Sequence, residues 1–482
     1  MSLRVLAVVL CVLFLMAYAW SPGWRKLRPG WLFSTCGAII MMAVLEHPDM
    51  PRKIGIPGIN LWNLLMINTV TAWLARRQAE GFAWDLPLQI KKRGLLFCAV
   101  MLVAFLRVVF ADSPPALLTG FSAFAAYFVN CFKWLLPAII LFDGCRSKEQ
   151  TITSLLLILS TYVLIALLTI RVMPVGGIGS GEDLSVQAAR RLERNVGYHR
   201  VDVSMMLAGA TWAIYCCSGL FSALWQRVAV WGVCGITLLG QALTGGRMGY
   251  VAMLGVGVIF ALTKWRKLLF LGPVGLIAVV ALVPSVRERM LMGFGGNEGA
   301  IVVEQNADEM TSGRVLIWPL AVEGILQRPL VGWGRTGFQL SGIAERAKSE
   351  LGEDWPHPHN AYLEYLLDTG LLGMLLTLPI YLTLVAWSFR LLRMPDPFFT
   401  AVGGVAFSLF MSFLLSAMGA QTLYTRESVV MMWAVSGLLV RVWLEYHRDE
   451  NGEETGFFGT EPEEVIFDRQ EFARPKPGGV LV

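Results

Sequence analysis

Long apolar segments recur from one end of this sequence to the other, and they limit the possible folds more than any other feature. About thirteen windows of roughly 16 to 25 residues are each long enough to cross a hydrocarbon core of about 30 Å as an α-helix. They lie near residues 3–20, 30–45, 58–75, 94–111, 120–142, 151–172, 201–221, 227–244, 248–263, 267–285, 360–389, 398–419 and 428–446. The sequence therefore predicts an all-α, polytopic helix bundle with about 12 to 14 transmembrane helices.

The composition agrees with a membrane protein and argues against several other classes. Hydrophobic residues make up 55% of the 482 residues and charged residues 16%, and the mean hydropathy is +0.58. Soluble domains usually carry about 25% charged residues. The sequence has no paired CxxC motif and no Walker loop, and its net charge of +5 is spread over the loops. We therefore expect no nucleic-acid partner, no metal site and no cofactor.

Basic residues are concentrated in alternate loops, which predicts the orientation of the bundle, because loops rich in lysine and arginine remain in the cytoplasm. On this rule the cytoplasmic loops contain Arg25, Lys26, Arg28, Arg76, Arg77, Lys91, Lys92, Arg93, Arg146, Lys148, Lys264, Arg266, Lys267, Arg390 and Arg393. The other connections carry fewer basic residues, apart from Arg52 and Lys53. The two long segments 173–200 and 286–358 are expected on the outer side. The eight cysteines lie within or at the cytoplasmic end of predicted helices, which suits an oxidising exterior.

Three regions follow from this topology. Residues 1–200 hold N-terminal transmembrane helices and the first outer segment, 201–446 a transmembrane core, and 447–482 an acidic tail expected to be cytoplasmic and disordered. The first window, with Arg4 and the sequence AYA at 17–19, also fits a cleavable signal peptide, although we favour its retention as a helix.

The outer segment 286–358 is too long for a plain connection and predicts a helical cap over the bundle. Its first helix should lie within ADEMTSGRVLIWPLAVEGILQRPLVGWG, with Arg314 in the first turn. Pro319 should either kink this helix or mark the start of its regular part. Two residues are candidate N-caps, Thr311 and Ser312. A second amphipathic helix is predicted at 337–351.

Two histidines and an asparagine, His357, His359 and Asn360, stand directly before a predicted membrane helix. The start of a helix offers free backbone N–H groups and a partial positive charge, which can hold an anion and disfavour protonation of an imidazole. A neutral His359 could then act as a general base toward a hydroxyl. The alternative is that His359 and Asn360 only cap the helix while His357 is solvated.

Two arginines are candidate ligands for such an anion. Arg247, in LTGGRMGY, lies between two predicted spans, and Arg314 opens the cap helix. A guanidinium binds phosphate oxygens bidentately, so the pair predicts a diphosphate clamp. Taken singly, each arginine could equally be an interfacial residue that reaches the membrane surface.

Acidic residues inside a predicted span also require an explanation. Glu364 and Asp368 are four residues apart and therefore share one helix face. A carboxylate at mid-span is costly, so both should face the bundle or a wet cavity. We expect them to hold the arginines in place rather than to act directly in catalysis. Arg107 and Lys133 are interpreted as members of structural ion pairs.

Three motifs, in this order, resemble those of the bacterial O-antigen ligase and O-antigen (polysaccharide) polymerase superfamily. TGGRMGYVAML is similar to its first arginine segment, and TSGRVLIWPLAVEGILQRPLVGWGRTGF to its periplasmic arginine helix and the PLxGxG turn that follows. The histidine motif consists of His359, Asn360, Gly370 and Gly373. The resemblance covers about residues 200–440. Two positions depart from it: Gly246 stands where serine or threonine is common, and Met374 where small or β-branched residues are usual.

The resemblance implies a membrane-embedded glycosyltransferase of the C type (GT-C) that is metal-independent and inverts the anomeric centre. It would use undecaprenyl-diphosphate-linked glycan at the periplasmic face of the bacterial inner membrane, with the lipid bilayer and chain-length regulator proteins as partners. Arg247 and Arg314 would bind the donor diphosphate, His359 would deprotonate the acceptor hydroxyl, and Asn360, Glu364 and Asp368 would support them.

The acceptor is the least determined part of this expectation. A polysaccharide polymerase, which acts on another glycan repeat unit, is favoured over an O-antigen ligase acting on lipid A core or an enzyme acting on protein. Candidate acceptor contacts in segment 173–200 are Arg191, Arg194, His199 and Arg200, unless the segment is a solvated loop. A lipid-linked glycan transporter or flippase is the alternative of another class, but the sequence shows no internal repeat, and its key charges gather on one side.

Overall fold

The computed structural model describes residues 3–51, 60–110, 124–173, 181–270, 314–352, 354–419, 423–453 and 456–458, with the single positions 272, 277 and 287. These residues are predominantly helical, and no strand occurs among them. Several sequence predictions lie outside these ranges. They are the apolar window 267–285 beyond its first residues, the caps Thr311 and Ser312, and nearly all of the acidic tail.

The main helices are numbered here in chain order. Six shorter helical turns lie between them in the described ranges: Ala125–Val129, Asn130–Lys133, Cys217–Leu220, Gly337–Leu340, Ala417–Gly419 and Glu427–Val429. The helices are α1 (Leu3–Tyr18), α2 (Gly30–Leu45), α3 (Leu61–Arg77), α4 (Leu88–Val109), α5 (Leu136–Gly144), α6 (Lys148–Val172), α7 (Gly181–Asn195), α8 (Arg200–Cys216), α9 (Leu224–Ala242), α10 (Arg247–Thr263), α11 (Arg314–Gln327), α12 (Ile343–Leu351), α13 (Ala361–Arg393), α14 (Pro397–Ser416) and α15 (Val430–Glu450).

Twelve of the thirteen predicted apolar windows coincide with helices in the described part of the chain. Six helical segments are long and apolar enough to cross a membrane: Tyr127–Gly144, Lys148–Val172, Arg200–Leu220, Ala361–Arg393, Pro397–Gly419 and Glu427–Glu450. Shorter apolar helices include Leu3–Tyr18, Gly30–Leu45 and Arg247–Thr263. The chain is therefore an all-α, multi-pass membrane protein, as the sequence predicts.

The two ends of the bundle differ in character. At the C-terminal end of α10, Lys264 Nζ donates to the carbonyls of Leu392 and Met394 at the end of α13. Since α10 and α13 finish together, they also begin at the same end of the bundle. We call the end at which both helices begin the motif end. The basic loops contact one another at the opposite end of the bundle. There Arg76 donates to Ser21 O, Gln150 to Arg28 O and Arg146 to Ala83 O, and Lys148 Nζ lies over the ring of Phe398.

The centre of the bundle is α8, which packs against α9, α10 and α14. Small residues permit this close packing. A Cβ built on Gly209 of α8 would lie 3.1 Å from Cβ of Ser412 on α14. Ser412 Oγ donates a hydrogen bond of 2.9 Å to the carbonyl of Met205. A rigid core of small and hydroxylated residues thus supports the helices that carry the motifs.

Two predictions about the outer segments need correction. The predicted helix 337–351 is interrupted at Gly342, whose φ of 77° lies in the left-handed region, so a short turn precedes α12. For segment 173–200, the sequence leaves a solvated loop as an alternative. Over Gly181–Asn195 it is instead a helix, and its buried face includes Leu184, Ala188 and Leu192. This face is buried because its apolar residues recur at helical spacing.

The longest helix, α13, is broken at Gly370, which has φ 65° and ψ −174°. The turn after α11 fills the break. Leu371 N donates to Pro329 O at 2.8 Å and Leu372 N to Leu330 O at 3.0 Å. In return, Trp333 N donates to Leu367 O at 2.7 Å and Gly334 N to Asp368 O at 2.9 Å. The backbone approaches so closely that a side chain at Gly370 would collide with Leu330. The PLxGxG turn and the histidine motif are therefore one structural unit.

Candidate active site

His359 lies immediately before α13 but does not cap it. The N-cap is Asn360, whose Oδ1 accepts from Tyr362 N at 3.0 Å and Leu363 N at 3.3 Å. His359 has φ 50°, in the left-handed region. The capping alternative is thus correct for Asn360 and wrong for His359, because the side chain that caps the start of α13 is that of Asn360.

The two histidines form a pair. His357 Nδ1 accepts from His359 N at 3.2 Å, and the ring centroids are 4.1 Å apart. Trp318 Nε1 of α11 donates to Pro358 O between them at 3.0 Å, which ties the pair to the cap. His357 is half-buried rather than solvated as the capping alternative had it.

The surroundings keep His359 neutral. Burial, followed by the positive charge of Arg314 and a contribution from the imidazole of His199, lowers the pKa of His359 to about 4. Burial also lowers the pKa of His357 to about 3, with contributions from His359 and Arg426. Both imidazoles are therefore unprotonated at neutral pH, as a general base must be.

Arg314 begins α11 and reaches the end of α14. Its Nη2 donates to Gly419 O at 3.2 Å. A Cβ built on Gly419 would lie 3.2 Å from Arg314 Nη1 and would also collide with the side chain of Met248. Arg314 thus lies beside the first turn of α10, which begins at Arg247. The charge of Arg314 also acts on His359, so Arg314 connects the start of α10 with the histidine.

The loop before Arg247 is held firmly on α8. Ser204 Oγ donates to Gly246 O at 3.0 Å, and Arg200 Nη1 donates to Gly245 O at 3.1 Å. A Cβ on Gly246 would lie 2.5 Å from both Cβ and Oγ of Ser204. The departure from the serine or threonine of the resemblance has its reason here, since Ser204 supplies a hydroxyl from the neighbouring helix and leaves no room for a second side chain.

The four residues predicted to contact an acceptor are separated by the structure. Arg200 donates a hydrogen bond to the loop before Arg247, and the imidazole of His199 contributes to the lowered pKa of His359. Both lie at the site. Arg191 is exposed and donates to Val172 O at 3.2 Å, and Arg194 is exposed on α7. The pair on α7 is thus not brought to the histidines.

Glu364 and Asp368 are buried, and both hold an arginine that the sequence analysis does not name. Their partner is Arg335, whose Nη1 lies 3.9 Å from Glu364 Oε1 and 3.4 Å from Asp368 Oδ2. Asp368 also accepts from Tyr424 Oη at 2.5 Å and Gly337 N at 2.6 Å. The physical reason is the break at Gly370, which carries the turn containing Arg335 onto the acidic face of α13.

Further charged residues at the motif end were not singled out from the sequence. Arg426, between α14 and α15, donates to Asp202 of α8 at 2.9 Å. A signal existed for Arg335 in the two carboxylates, which require a countercharge within the membrane. The sequence predicts Lys133 and Arg107 to be members of ion pairs. Within the described ranges they bond neutral groups instead, Asn63 Oδ1 and Val331 O.

These observations define a class. The chain is a multi-pass helical membrane protein in which two arginines and a neutral histidine are gathered at one end of the bundle beneath a helical cap. The family model described as O-antigen ligase matches residues 232–378, a range that contains Arg247, Arg314, Arg335 and His359. This part of the chain is therefore similar to the O-antigen ligase family.

Two curated relatives are similar to this chain over alignments of comparable length. "Exopolysaccharide production protein ExoQ" of Rhizobium meliloti is 27% identical over 127 residues, which is 24% of this chain and 26% of the relative. "Putative polysaccharide ligase RC0486" of Rickettsia conorii is 29% identical over 132 residues, which is 25% of this chain and 30% of the relative. The alignments thus cover less than a third of either relative.

Proposed function

We propose that this protein is a glycosyltransferase that moves a glycan from undecaprenyl diphosphate to an acceptor hydroxyl at the periplasmic face of the inner membrane. The match of residues 232–378 to the O-antigen ligase family supports glycosyl transfer. The observation that carries the proposal is the meeting of Arg314, the first turn of α10 and His359 at one end of the bundle.

The arginines are assigned to the donor. Arg314 donates to a neutral carbonyl, that of Gly419, so this contact leaves its positive charge in place. A diphosphate leaving group gains negative charge as its bond to the sugar breaks, and fixed guanidinium groups stabilise that charge. Arg247 and Arg314 would form this clamp without a metal ion.

His359 is assigned to the acceptor. Its neutral imidazole takes the proton of the acceptor hydroxyl while the oxygen forms a bond to the anomeric carbon. The bond between that carbon and the diphosphate oxygen breaks, and undecaprenyl diphosphate leaves with the electron pair. Because the acceptor attacks from the face opposite the leaving group, the anomeric centre inverts.

The orientation rests on the basic loops. They meet at the end opposite the histidines, so the positive-inside rule assigns the motif end to the periplasm. In a cysteine-free background, Ser341→Cys on the cap should react with an impermeant maleimide added to intact spheroplasts, and Ser147→Cys should not. The reverse labelling would refute a periplasmic active site.

We assign the acceptor to the class of glycan repeat units, which makes the protein a polysaccharide polymerase. The relative described by exopolysaccharide production favours this activity, and the relative described as a polysaccharide ligase favours the second candidate, transfer to lipid A core. Glycan analysis of a deletion strain distinguishes them. Single repeats without long chains indicate a polymerase, whereas lipid-linked polymer that never reaches lipid A indicates a ligase.

A further inference from the structure

A second polar pocket lies beside the proposed catalytic site. It has a cavity volume of about 190 Å³. Its wall combines aromatic, cationic, acidic and amide groups, contributed by Asn130, Trp134, Arg335, Tyr424, Arg426 and Glu427. Neither Arg247, Arg314 nor His359 lines it.

The pocket adjoins the site through two ion pairs. Arg335 pairs with Glu364 and Asp368, which follow His359 on α13. Arg426 pairs with Asp202, which lies in the first turn of α8 next to Arg200. The pocket therefore lies between the two helices that position the histidine and the loop before Arg247.

Two buried N–H donors on this wall have no acceptor among the residues that the structure describes. They are Nε1 of Trp134, a residue only 3% exposed, and Nε of Arg335. A buried donor without an acceptor is destabilising, so such groups normally meet a protein atom, water or a ligand. The pair therefore indicates an occupant with acceptor oxygens.

The charges of the wall favour an uncharged occupant. Arg335 faces two carboxylates, and Arg426 lies 2.9 Å from Asp202 and 3.6 Å from Glu427. Both guanidinium groups are thus already neutralised by acidic partners, so an anion would gain little there. Trp134 and Tyr424 supply apolar area between the polar groups. Hydroxyl and ring oxygens combined with C–H surface are the chemistry of a pyranose ring.

We propose that this pocket binds an uncharged pyranose unit of the acceptor glycan, with Trp134 Nε1 and Arg335 Nε donating hydrogen bonds to its oxygens. The identity of that ligand as acceptor rests on the proposed function, whereas the binding of a sugar does not. The pocket would hold the acceptor chain while its terminal hydroxyl reaches His359.

Binding is tested on the full chain in nanodiscs, because maltoside detergents are themselves glycosides. Saturation-transfer difference NMR is recorded with methyl β-glucoside and methyl β-galactoside, and separately with methyl glucuronide and inorganic diphosphate. Trp134→Phe keeps an aromatic ring but removes the N–H group. We expect it to weaken binding of the neutral glycosides by about two- to tenfold, the effect of one lost hydrogen bond.

The matched control is Trp433→Phe. Trp433 is also a buried tryptophan whose Nε1 has no acceptor in the described structure, but it packs among Phe97, Tyr381 and Phe410 and does not line the pocket. This variant should bind the glycosides like the wild type. Asn130→Ala alters the same wall and should also weaken binding. It therefore tests the pocket even where Trp134→Phe does not fold.

The same variants separate this inference from the proposed function. In a transfer assay, Trp134→Phe should raise KM for the acceptor by about two- to tenfold and leave KM for the donor unchanged. No neutral glycoside signal, an unchanged signal in the pocket variants, or binding of glucuronide or diphosphate alone would each overturn the sugar pocket. Loss of transfer in His359→Asn together with unaltered glycoside binding in Trp134→Phe would reject the pocket while the proposed function stands. Undetectable transfer in the wild type would reject that function, and the NMR result would still decide the pocket.

Discussion

The two ends of the bundle use arginine in contrasting ways. At the opposite end, four arginines surround three carboxylates: Arg77, Arg146, Arg441 and Arg448 with Asp85, Asp143 and Glu445. At the motif end, Arg335 and Arg426 are also paired with carboxylates, but Arg314 donates to a backbone carbonyl and its charge helps to lower the pKa of His359. An arginine paired with carboxylates fixes helices to one another, whereas under the proposed function Arg314 acts on the substrate.

The network at the opposite end joins distant parts of the chain. Arg441 of α15 is fully buried, and its Nη1 and Nη2 donate to the two oxygens of Asp85, each at 2.8 Å. Its Nε donates to Phe142 O of α5 at 2.8 Å. Burial raises the pKa of Asp85, but the hydrogen bonds and charges of Arg441, Arg146 and Arg448 hold it well below the ordinary value. Asp85 is therefore ionised and anchors α15 to the N-terminal helices.

The sharpest test of this contrast is His359→Asn. Asparagine tolerates the left-handed backbone of this position but cannot take a proton, so turnover should fall by about 10²- to 10⁴-fold. The thermal stability of the purified protein should not change, because Asn360 still caps α13. Asn360→Ser, which keeps a good N-cap, is the matched control and should retain activity. Full turnover of His359→Asn at normal expression would end the general-base assignment.

The converse change is Asp85→Asn at the opposite end. It leaves the buried Arg441 without its main countercharge, and breaking such a pair costs about 3 to 5 kcal/mol of unfolding free energy. Denaturant unfolding in detergent measures this loss, while turnover per folded molecule should remain normal. Asp354→Asn removes an exposed partner of Lys348 and should leave stability unchanged. A variant of Asp85 that is stable but inactive would contradict the division of roles between the two ends.

Arg314→Lys is expected to have an intermediate effect. Lysine keeps the charge but not the planar pair of donors, so KM for the lipid-linked donor should rise by about tenfold, and undecaprenyl diphosphate should compete less well. EDTA should not affect turnover. Arg346→Lys, on the exposed surface of the cap, serves as the control and should behave like the wild type. Unaltered competition in Arg314→Lys would refute the diphosphate clamp.

The smallest effect concerns pH. A histidine with the ordinary pKa of about 6.5 loses half of its base form at that pH. His359, with its pKa lowered to about 4, keeps the neutral form as pH falls and loses it only near pH 4. The kcat/KM for transfer should therefore stay level between about pH 7 and pH 5. A decline with a midpoint near pH 6.5 that persists in Arg314→Lys would show that the motif end does not hold this histidine neutral.

The sequence predicts most of the helices and the three motif residues because both leave local patterns. Apolar windows and a histidine before a helix are visible within a few residues of each other. The break at Gly370 has no such pattern, since the groups that fill it belong to Pro329 and Leu330, far away in the chain. The partner of Glu364 and Asp368 was missed for the same reason. Several arginines could have met that charge, and only the position of the turn selects Arg335.

The turn after α11, which pairs with the backbone at the break in α13, limits how such proteins can diversify. Leu371 N, Leu372 N, Leu367 O and Asp368 O, all within a membrane-spanning helix, depend on partners in the turn that follows α11. Such groups cannot be left without partners in a bilayer. The cap and the first half of α13 therefore form one cassette. A chimera that exchanges the cap alone for one with a differently shaped turn would disrupt α13, whereas one that exchanges residues 314–373 together would carry its own fit with it.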